Sequence, residues 1–156
     1  MPVEIGQVAP DFSLYSDAGE TVTLQELRGS PVVLAFFPAA FTGVCEQELC
    51  TLRDSMAAFN DLGATVLGIS VDSRFSNAAF AKQLGLEFSI LSDYSRSTVD
   101  AYGIRFHDLA GMDGYDTANR AVFVVDSQGT VTWSWIADHP GNEPPYEEVK
   151  SAIAAL

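Results

Sequence analysis

Two cysteines, Cys45 and Cys50, carry the most distinctive chemistry in this chain of 156 residues. Two are too few for a disulfide framework in a chain of this size, so in a cytosolic setting they indicate redox or metal chemistry. Cys45 lies in the predicted first turn of a helix that follows a buried strand. Unpaired backbone amides and the positive end of the helix dipole favour a thiolate there, and the thiolate is the nucleophilic form of the residue. Cys45 is therefore the candidate nucleophile.

The elements that must position Cys45 alternate between strands and helices. The unbroken apolar run at residues 31–37 is typical of a central strand covered on both faces, and Pro38 ends it. Residues 106–119 are the least regular stretch and are expected to form a surface loop near the site. The other predicted elements are a hairpin (9–14 and 21–24), helix 44–62, strand 64–71, a helix from a cap at Asp72 or Ser73 to Leu84, strand 88–91, helix 95–102, a hairpin (121–126 and 130–136) and helix 144–155. This alternation predicts one α/β domain over residues 1–156, with helices on both faces of a sheet.

The residues around Cys45 resemble a known active site. The pattern Pro-x-x-x-Thr-x-x-Cys, formed by Pro38, Thr42 and Cys45 directly after the buried strand, is similar to the signature of peroxiredoxins. Glu48, Arg120 just before a later strand, and the segment Ala-Pro-Asp-Phe near the N-terminus support the resemblance, which covers essentially the whole chain. It implies a thioredoxin-like fold with a central mixed β-sheet flanked by helices and an N-terminal β-hairpin. It also implies reduction of hydrogen peroxide or organic hydroperoxides through a sulfenic acid at Cys45, with no cofactor.

Each residue of the motif has a role in this chemistry. Thr42, one turn before Cys45, can place a hydroxyl beside the sulfur and the peroxide oxygens, and Pro38 can shield the thiolate from water. Glu48 lies at i+3 on the same helical face as Cys45, where its charge alone would disfavour the thiolate. Arg120 supplies permanent positive charge that must outweigh Glu48. The resemblance implies that Arg120 contacts the sulfur or the peroxide and that Glu48 orients a polar group.

The second cysteine leaves two recycling routes open. The spacing from Cys45 to Cys50 looks like that of Q-type, or bacterioferritin-comigratory, peroxiredoxins, in which Cys50 would be the resolving residue. The residues that flank the two cysteines are more similar to those of E-type alkyl hydroperoxide reductases, which are typically one-cysteine enzymes. In a regular helix the two Cα atoms would be roughly 8.5 Å apart, beyond the roughly 7 Å that a disulfide tolerates. A disulfide therefore requires the first helical turns to unwind; otherwise Cys50 is structural and an external thiol reduces the sulfenic acid.

Composition limits the partners. The chain has 8 basic and 21 acidic residues, a net charge of −13, and the basic residues do not cluster. Because nucleic-acid and anionic-membrane binders need a basic surface, we expect neither as a partner. No apolar run reaches the length of a membrane helix and no signal peptide is visible, which favours a cytoplasmic protein. The acidic surface leaves open whether the protein works in high salt.

Other site types and functions fit these residues less well. His107 and His139 are far apart and Cys-x4-Cys supplies only two ligands, so no metal is expected. A thioredoxin-type disulfide oxidoreductase would normally carry Cys-x-x-Cys, which is absent here. A non-enzymatic holdase with a vestigial thiol is the other alternative. We expect a peroxide substrate, a thioredoxin-like or small-thiol reductant, and a chain that is a monomer or a homodimer.

Overall fold

The computed structural model describes residues 1–156 and contains a seven-stranded mixed sheet. Its strands are β1 (Ser13–Ser16), β2 (Thr21–Thr23), β3 (Val32–Phe36), β4 (Thr65–Ser70), β5 (Ser89–Ser92), β8 (Ala121–Val125) and β9 (Val131–Ile136). Their order in the sheet is β2-β1-β5-β4-β3-β8-β9. The short strands β6 (Arg105–Phe106) and β7 (Thr117–Ala118) form a separate hairpin. The helices are α1 (Gly43–Asp54), α2 (Met56–Asp61), α3 (Arg74–Leu84), α4 (Ser97–Ala101) and α5 (Tyr146–Ala154). This architecture confirms the predicted α/β fold with a central mixed sheet and an N-terminal hairpin.

Strand β3 occupies the inside of the sheet and leads to the site. It runs parallel to β4 and antiparallel to β8. All five of its residues are buried, because both faces of the sheet are covered. The antiparallel register pairs Phe36, the last residue of β3, with Ala121, the first residue of β8. The residue before β8 and the loop after β3 therefore meet at the same edge of the sheet.

Two apolar layers cover the faces of this sheet. On one face, the apolar sides of α1, α2, α3 and α5 pack against the strands and bury residues such as Leu49, Phe59, Phe80 and Ile153. On the other face, the Tyr102 ring packs at a tilt against Phe36 and edge-on against Phe123, and the N-terminal segment completes the layer. Cys45 lies in the first layer and is fully buried. None of the helices is long and apolar enough to cross a lipid bilayer.

Three local predictions differ from the structure. The helix expected over residues 44–62 is two helices, because Ser55 leaves helical geometry and its hydroxyl donates to the carbonyl of Thr51. The irregular segment 106–119 includes strand β7 and the end of β6. Residues 9–12 precede the first strand, which begins at Ser13.

Candidate active site

The loop between β3 and α1 brings Cys45 to the sheet edge. Pro38 is buried just after the strand, and Phe41 has a φ of 65°, a left-handed backbone conformation that is uncommon outside glycine. Thr42 is the N-cap of α1, and Cys45 is the third residue of that helix. The backbone amides at this end of α1 lack partners within the helix. Cys45 therefore has the predicted position, with its thiol free and buried.

Arg120 reaches the sulfur from the position just before β8, the strand next to β3. Its guanidinium is 2% exposed and makes three hydrogen bonds: Nη2 donates to Cys45 Sγ at 3.2 Å, Nη1 to Glu48 Oε1 at 2.8 Å, and Nε to the Pro140 carbonyl at 2.9 Å. This fork fixes the cation against the sulfur, because a planar guanidinium with three partners has no freedom to turn. The structure thus brings Arg120, Glu48 and Cys45 into one buried cluster.

Glu48 is the second charged group beside Cys45 and is fully buried. Burial raises the pKa of Glu48 from 4.5 to about 7, although the charge and the hydrogen bond of Arg120 act in the opposite direction. Its Oε2 has no hydrogen-bond partner. Burial of a carboxylate favours its neutral form, so the carboxyl of Glu48 changes charge near neutral pH.

Thr42 and Pro38 line a cavity of about 240 Å³ that opens beside Arg120. The Thr42 hydroxyl donates to the Ala39 carbonyl at 2.9 Å, rather than to the sulfur. Its oxygen lone pairs remain able to accept a hydrogen bond from a molecule in the cavity. The cavity is large enough for a small organic molecule and lies at the N-terminal end of α1, where Gly43, Val44 and Arg120 line it.

Cys50 lies in α1 together with Cys45 but is partly exposed. Both thiols are free, as expected for two cysteines held five residues apart in one helix. The site thus separates a buried sulfur beside a cation from a second sulfur that solvent reaches.

Comparison with known proteins decides the family. The AhpC/TSA family model matches residues 5–134. The chain belongs to this family. Alkyl hydroperoxide reductase E of Mycobacterium tuberculosis is 37% identical over 99% of this chain and 98% of its own length. The putative peroxiredoxin bcp of Coxiella burnetii is 34% identical over 86% of this chain and 89% of its own length. The protein is a peroxiredoxin of the Bcp, Q and E type.

Solved structures support the same conclusion at the level of fold. The crystal structure of peroxidoxin BcpB from Mycobacterium tuberculosis superposes with a TM-score of 0.88 at 27% identity, over 99% of this chain and 98% of that one. A Xylella fastidiosa PrxQ mutant superposes with a TM-score of 0.88 at 22% identity, over 99% and 98% of the two chains. The fold of this peroxiredoxin is therefore thioredoxin-like. Its activity is that of a thiol-dependent peroxidase, and peroxiredoxins take electrons from thioredoxin-like reductants.

Several residues that line the candidate site were not predicted from the sequence. Leu109 and Ala110 line the cavity from the loop between β6 and β7, and Pro140 and Gly141 line it from the loop before α5. The irregular composition of residues 106–119 indicated a loop near the site but not which residues face it. Pro140 contacts Arg120 through its backbone carbonyl, and a backbone contact of this kind cannot be predicted from a pattern of side chains.

Proposed function

We propose that Cys45 is the peroxidatic nucleophile of this thiol-dependent peroxidase, with Arg120, Glu48, Thr42 and Pro38 completing the site. The observation that carries the proposal is the hydrogen bond from Arg120 Nη2 to Cys45 Sγ, 3.2 Å long and buried. A permanent cation fixed beside the sulfur stabilises the thiolate, and it also stabilises negative charge that develops on a peroxide oxygen. Pro38 limits the access of water to the sulfur, and Thr42 offers its oxygen to a peroxide O–H.

The proposed step consumes one peroxide for each thiolate. The sulfur attacks one oxygen of ROOH, the O–O bond breaks, and the departing RO⁻ takes up a proton to leave as alcohol, or as water when R is hydrogen. Cys45 becomes a sulfenic acid, so the sulfur is oxidised by two electrons and the peroxide is reduced by two. Arg120 is placed to stabilise the departing oxygen, whereas Glu48 fixes the guanidinium from its other side.

We further propose that Cys50 resolves the sulfenic acid. The Cys50 thiol attacks the oxidised sulfur, water leaves, and a Cys45–Cys50 disulfide forms that a thioredoxin-like dithiol then reduces. A regular α1 does not allow this bond, so the first turns of the helix must unwind after oxidation. The partial exposure of Cys50 supports this route, because a reductant must reach one sulfur of the disulfide.

The proposed enzyme is a single domain over residues 1–156. It works in the cytoplasm and reduces hydrogen peroxide and organic hydroperoxides. All five proposed site residues and Cys50 come from one chain, so the chemistry is complete within one subunit. The apolar side chains at the cavity, Val44 and Leu109, favour alkyl groups on the peroxide. The related Mycobacterium protein is named an alkyl hydroperoxide reductase, which agrees with this substrate class.

Single-turnover oxidation tests the proposal. Reduced protein mixed with one equivalent of peroxide should consume it, and the product should be about 2 mass units lighter than the reduced chain, as a new disulfide requires. Cys45→Ser should abolish the reaction, whereas Cys50→Ser should react at the normal rate and stop at a sulfenic acid. Retained peroxidase activity in Cys45→Ser would disprove the nucleophile. A persistent sulfenic acid in the wild type would instead show that Cys50 is structural and that an external thiol completes the cycle.

A further inference from the structure

Asp72 reaches across to the loop that carries the active-site motif. It follows strand β4, and its Oδ2 accepts a hydrogen bond of 2.8 Å from the backbone N–H of Ala40. Ala40 lies midway between Pro38 and Thr42. Asp72 does not line the cavity and makes no hydrogen bond to the sulfur or to Arg120. Asp72 therefore contacts the backbone of the loop that carries Pro38 and Thr42, and it does not contact the reacting groups.

The backbone of Asp72 is itself fixed by buried polar groups. Ser92, at the end of β5, donates its hydroxyl to the Asp72 carbonyl at 2.6 Å. The N–H of Asp72 donates to the Ser70 hydroxyl at 3.3 Å, and Ser70 in turn donates to buried Asn77 at 3.2 Å. Ser70 and Ser92 are almost completely buried at the ends of two parallel strands. These bonds tie the Asp72 backbone to the sheet, so its carboxylate is held where it can accept a hydrogen bond from the loop.

The loop needs such an acceptor because its backbone is strained. Phe41, next to Ala40, has a φ of 65°, and a left-handed conformation is strained in a residue with a bulky side chain. Such a conformation persists only when its surroundings impose it. Two contacts from the segment after β4 do so: the Asp72 carboxylate accepts from the N–H of Ala40, and the Phe80 ring packs at a tilt against the Phe41 ring, with centroids 5.0 Å apart. Without the first contact, the loop can relax and shift Pro38 and Thr42.

We propose that Asp72 is a positioning residue for peroxide reduction, because its carboxylate fixes the Pro38–Thr42 loop through the N–H of Ala40. The inference rests on the proposed function of that loop and extends it to a residue outside the motif. The sequence predicted either Asp72 or Ser73 as the N-cap of the helix after β4. In the structure Ser73 is the cap, because its hydroxyl accepts from the Ser76 N–H. The Asp72 carboxylate is thus available to accept a hydrogen bond from the loop.

The test compares attack on peroxide with alkylation of the same sulfur. Hydrogen peroxide must fit between Thr42 and Arg120, whereas iodoacetamide reports only how available the thiolate is. Asp72→Ala should slow the single-turnover reaction with hydrogen peroxide by about 10- to 100-fold, since a displacement of about 1 Å at a reacting centre has an effect of that size. Alkylation should change by less than about 3-fold, because Arg120 and the start of α1 stay in place. Asp72→Asn keeps an oxygen acceptor and should restore most of the peroxide rate.

The matched control is Ser73→Ala in the same connection. It removes a helix cap and so lowers stability without touching the loop. We expect its ratio of peroxide rate to alkylation rate to equal that of the wild type. Hydrogen exchange of the Ala40 amide supplies a direct readout: protection should fall in Asp72→Ala and remain in Asp72→Asn. If Asp72→Ala does not fold, Asp72→Leu, which is similar in size and lacks the acceptor, replaces it.

The outcomes separate this inference from the proposed function. An unchanged rate ratio in Asp72→Ala, with Cys45 still essential, would overturn only the positioning role. An equal loss in Ser73→Ala would also overturn it, because the effect would then follow general stability. Peroxidase activity that survives Cys45→Ser would instead reject the nucleophile on which both proposals rest.

Discussion

Arg120 and Glu48 form a fully buried ion pair, with 2.8 Å between Nη1 and Oε1, and the same guanidinium donates to the Cys45 sulfur. One cation therefore serves two acceptors. When Glu48 is ionised, it shares the charge of Arg120 with the sulfur, and when Glu48 is protonated, more of that charge is available to the thiolate. This division of charge determines how the stability and the reactivity of the site respond to pH.

The stability of the wild type should fall as the pH rises from about 4.5 to about 7. Burial raises the pKa of Glu48 to about 7 from 4.5, so the folded state keeps a proton that the unfolded state has already lost between these values. The contribution of Glu48 is fully present below the lower pKa and is lost as the pH rises through the upper one, on the order of 3 kcal/mol in total. Urea unfolding of the reduced protein at a series of pH values measures this loss.

Glu48→Gln is the control for this pH dependence. Glutamine keeps an oxygen for Arg120 but has no proton to lose, so the stability of this variant should change less across the same pH range. A pH dependence equal to that of the wild type would show that other groups cause it.

Arg120→Met should slow peroxide reduction by an effect that can be separated from its effect on the fold. Removing the donor to the sulfur and to the departing oxygen should lower the second-order rate constant by at least about 100-fold. The variant also leaves Glu48 buried without its partner, which costs roughly 3–5 kcal/mol of stability. The double variant Arg120→Met with Glu48→Gln should recover much of the stability and none of the rate. Recovery of both would mean that Arg120 acts only through folding, and stopped-flow kinetics with thermal unfolding measures the two effects.

The sequence predicted those parts of the site that local patterns encode. Cys45 had to lie at a helix start because an apolar strand, a proline and a threonine precede it within one short segment. Gly85 ends α3 in the left-handed conformation that glycine adopts most easily, as its place after Leu84 predicted. The proximity of Arg120 to Cys45 came from family resemblance alone, because 75 residues separate them and only the pairing of β3 with β8 joins them.

Contacts made through backbone atoms could not be predicted in this way. The carbonyl of Pro140 accepts from Arg120, and the N–H of Ala40 donates to Asp72; neither contact depends on a side chain at those two positions. The break at Ser55 was missed for a related reason, since the apolar spacing continues across it while a serine hydroxyl competes for the helix carbonyl. Tertiary geometry decides such contacts.

Leu109→Ala should change substrate preference. Leu109 is half-buried at the wall of the cavity, where the alkyl group of an organic hydroperoxide would contact it. Losing this apolar surface should lower kcat/KM for cumene hydroperoxide by about 10-fold and leave the value for hydrogen peroxide within about 2-fold. Met112→Ala, in the same loop but exposed and outside the cavity, is the matched control. Equal losses with both peroxides would contradict a contact with the alkyl group.

Oxidation should unfold the start of α1 only when Cys50 is present. In the reduced structure both cysteines belong to one helix, and the N–H of Glu46 donates to the Thr42 carbonyl at 2.9 Å in its first turn. A disulfide between residues five apart cannot coexist with that turn, because the Cα atoms must come within about 7 Å. Hydrogen exchange should therefore show lost amide protection over residues 46–50 in the oxidised wild type. Oxidised Cys50→Ser, which stops at the sulfenic acid, should keep the protection of the reduced protein. If both oxidised forms lose protection equally, oxidation of Cys45 alone melts the helix and the disulfide is not the cause.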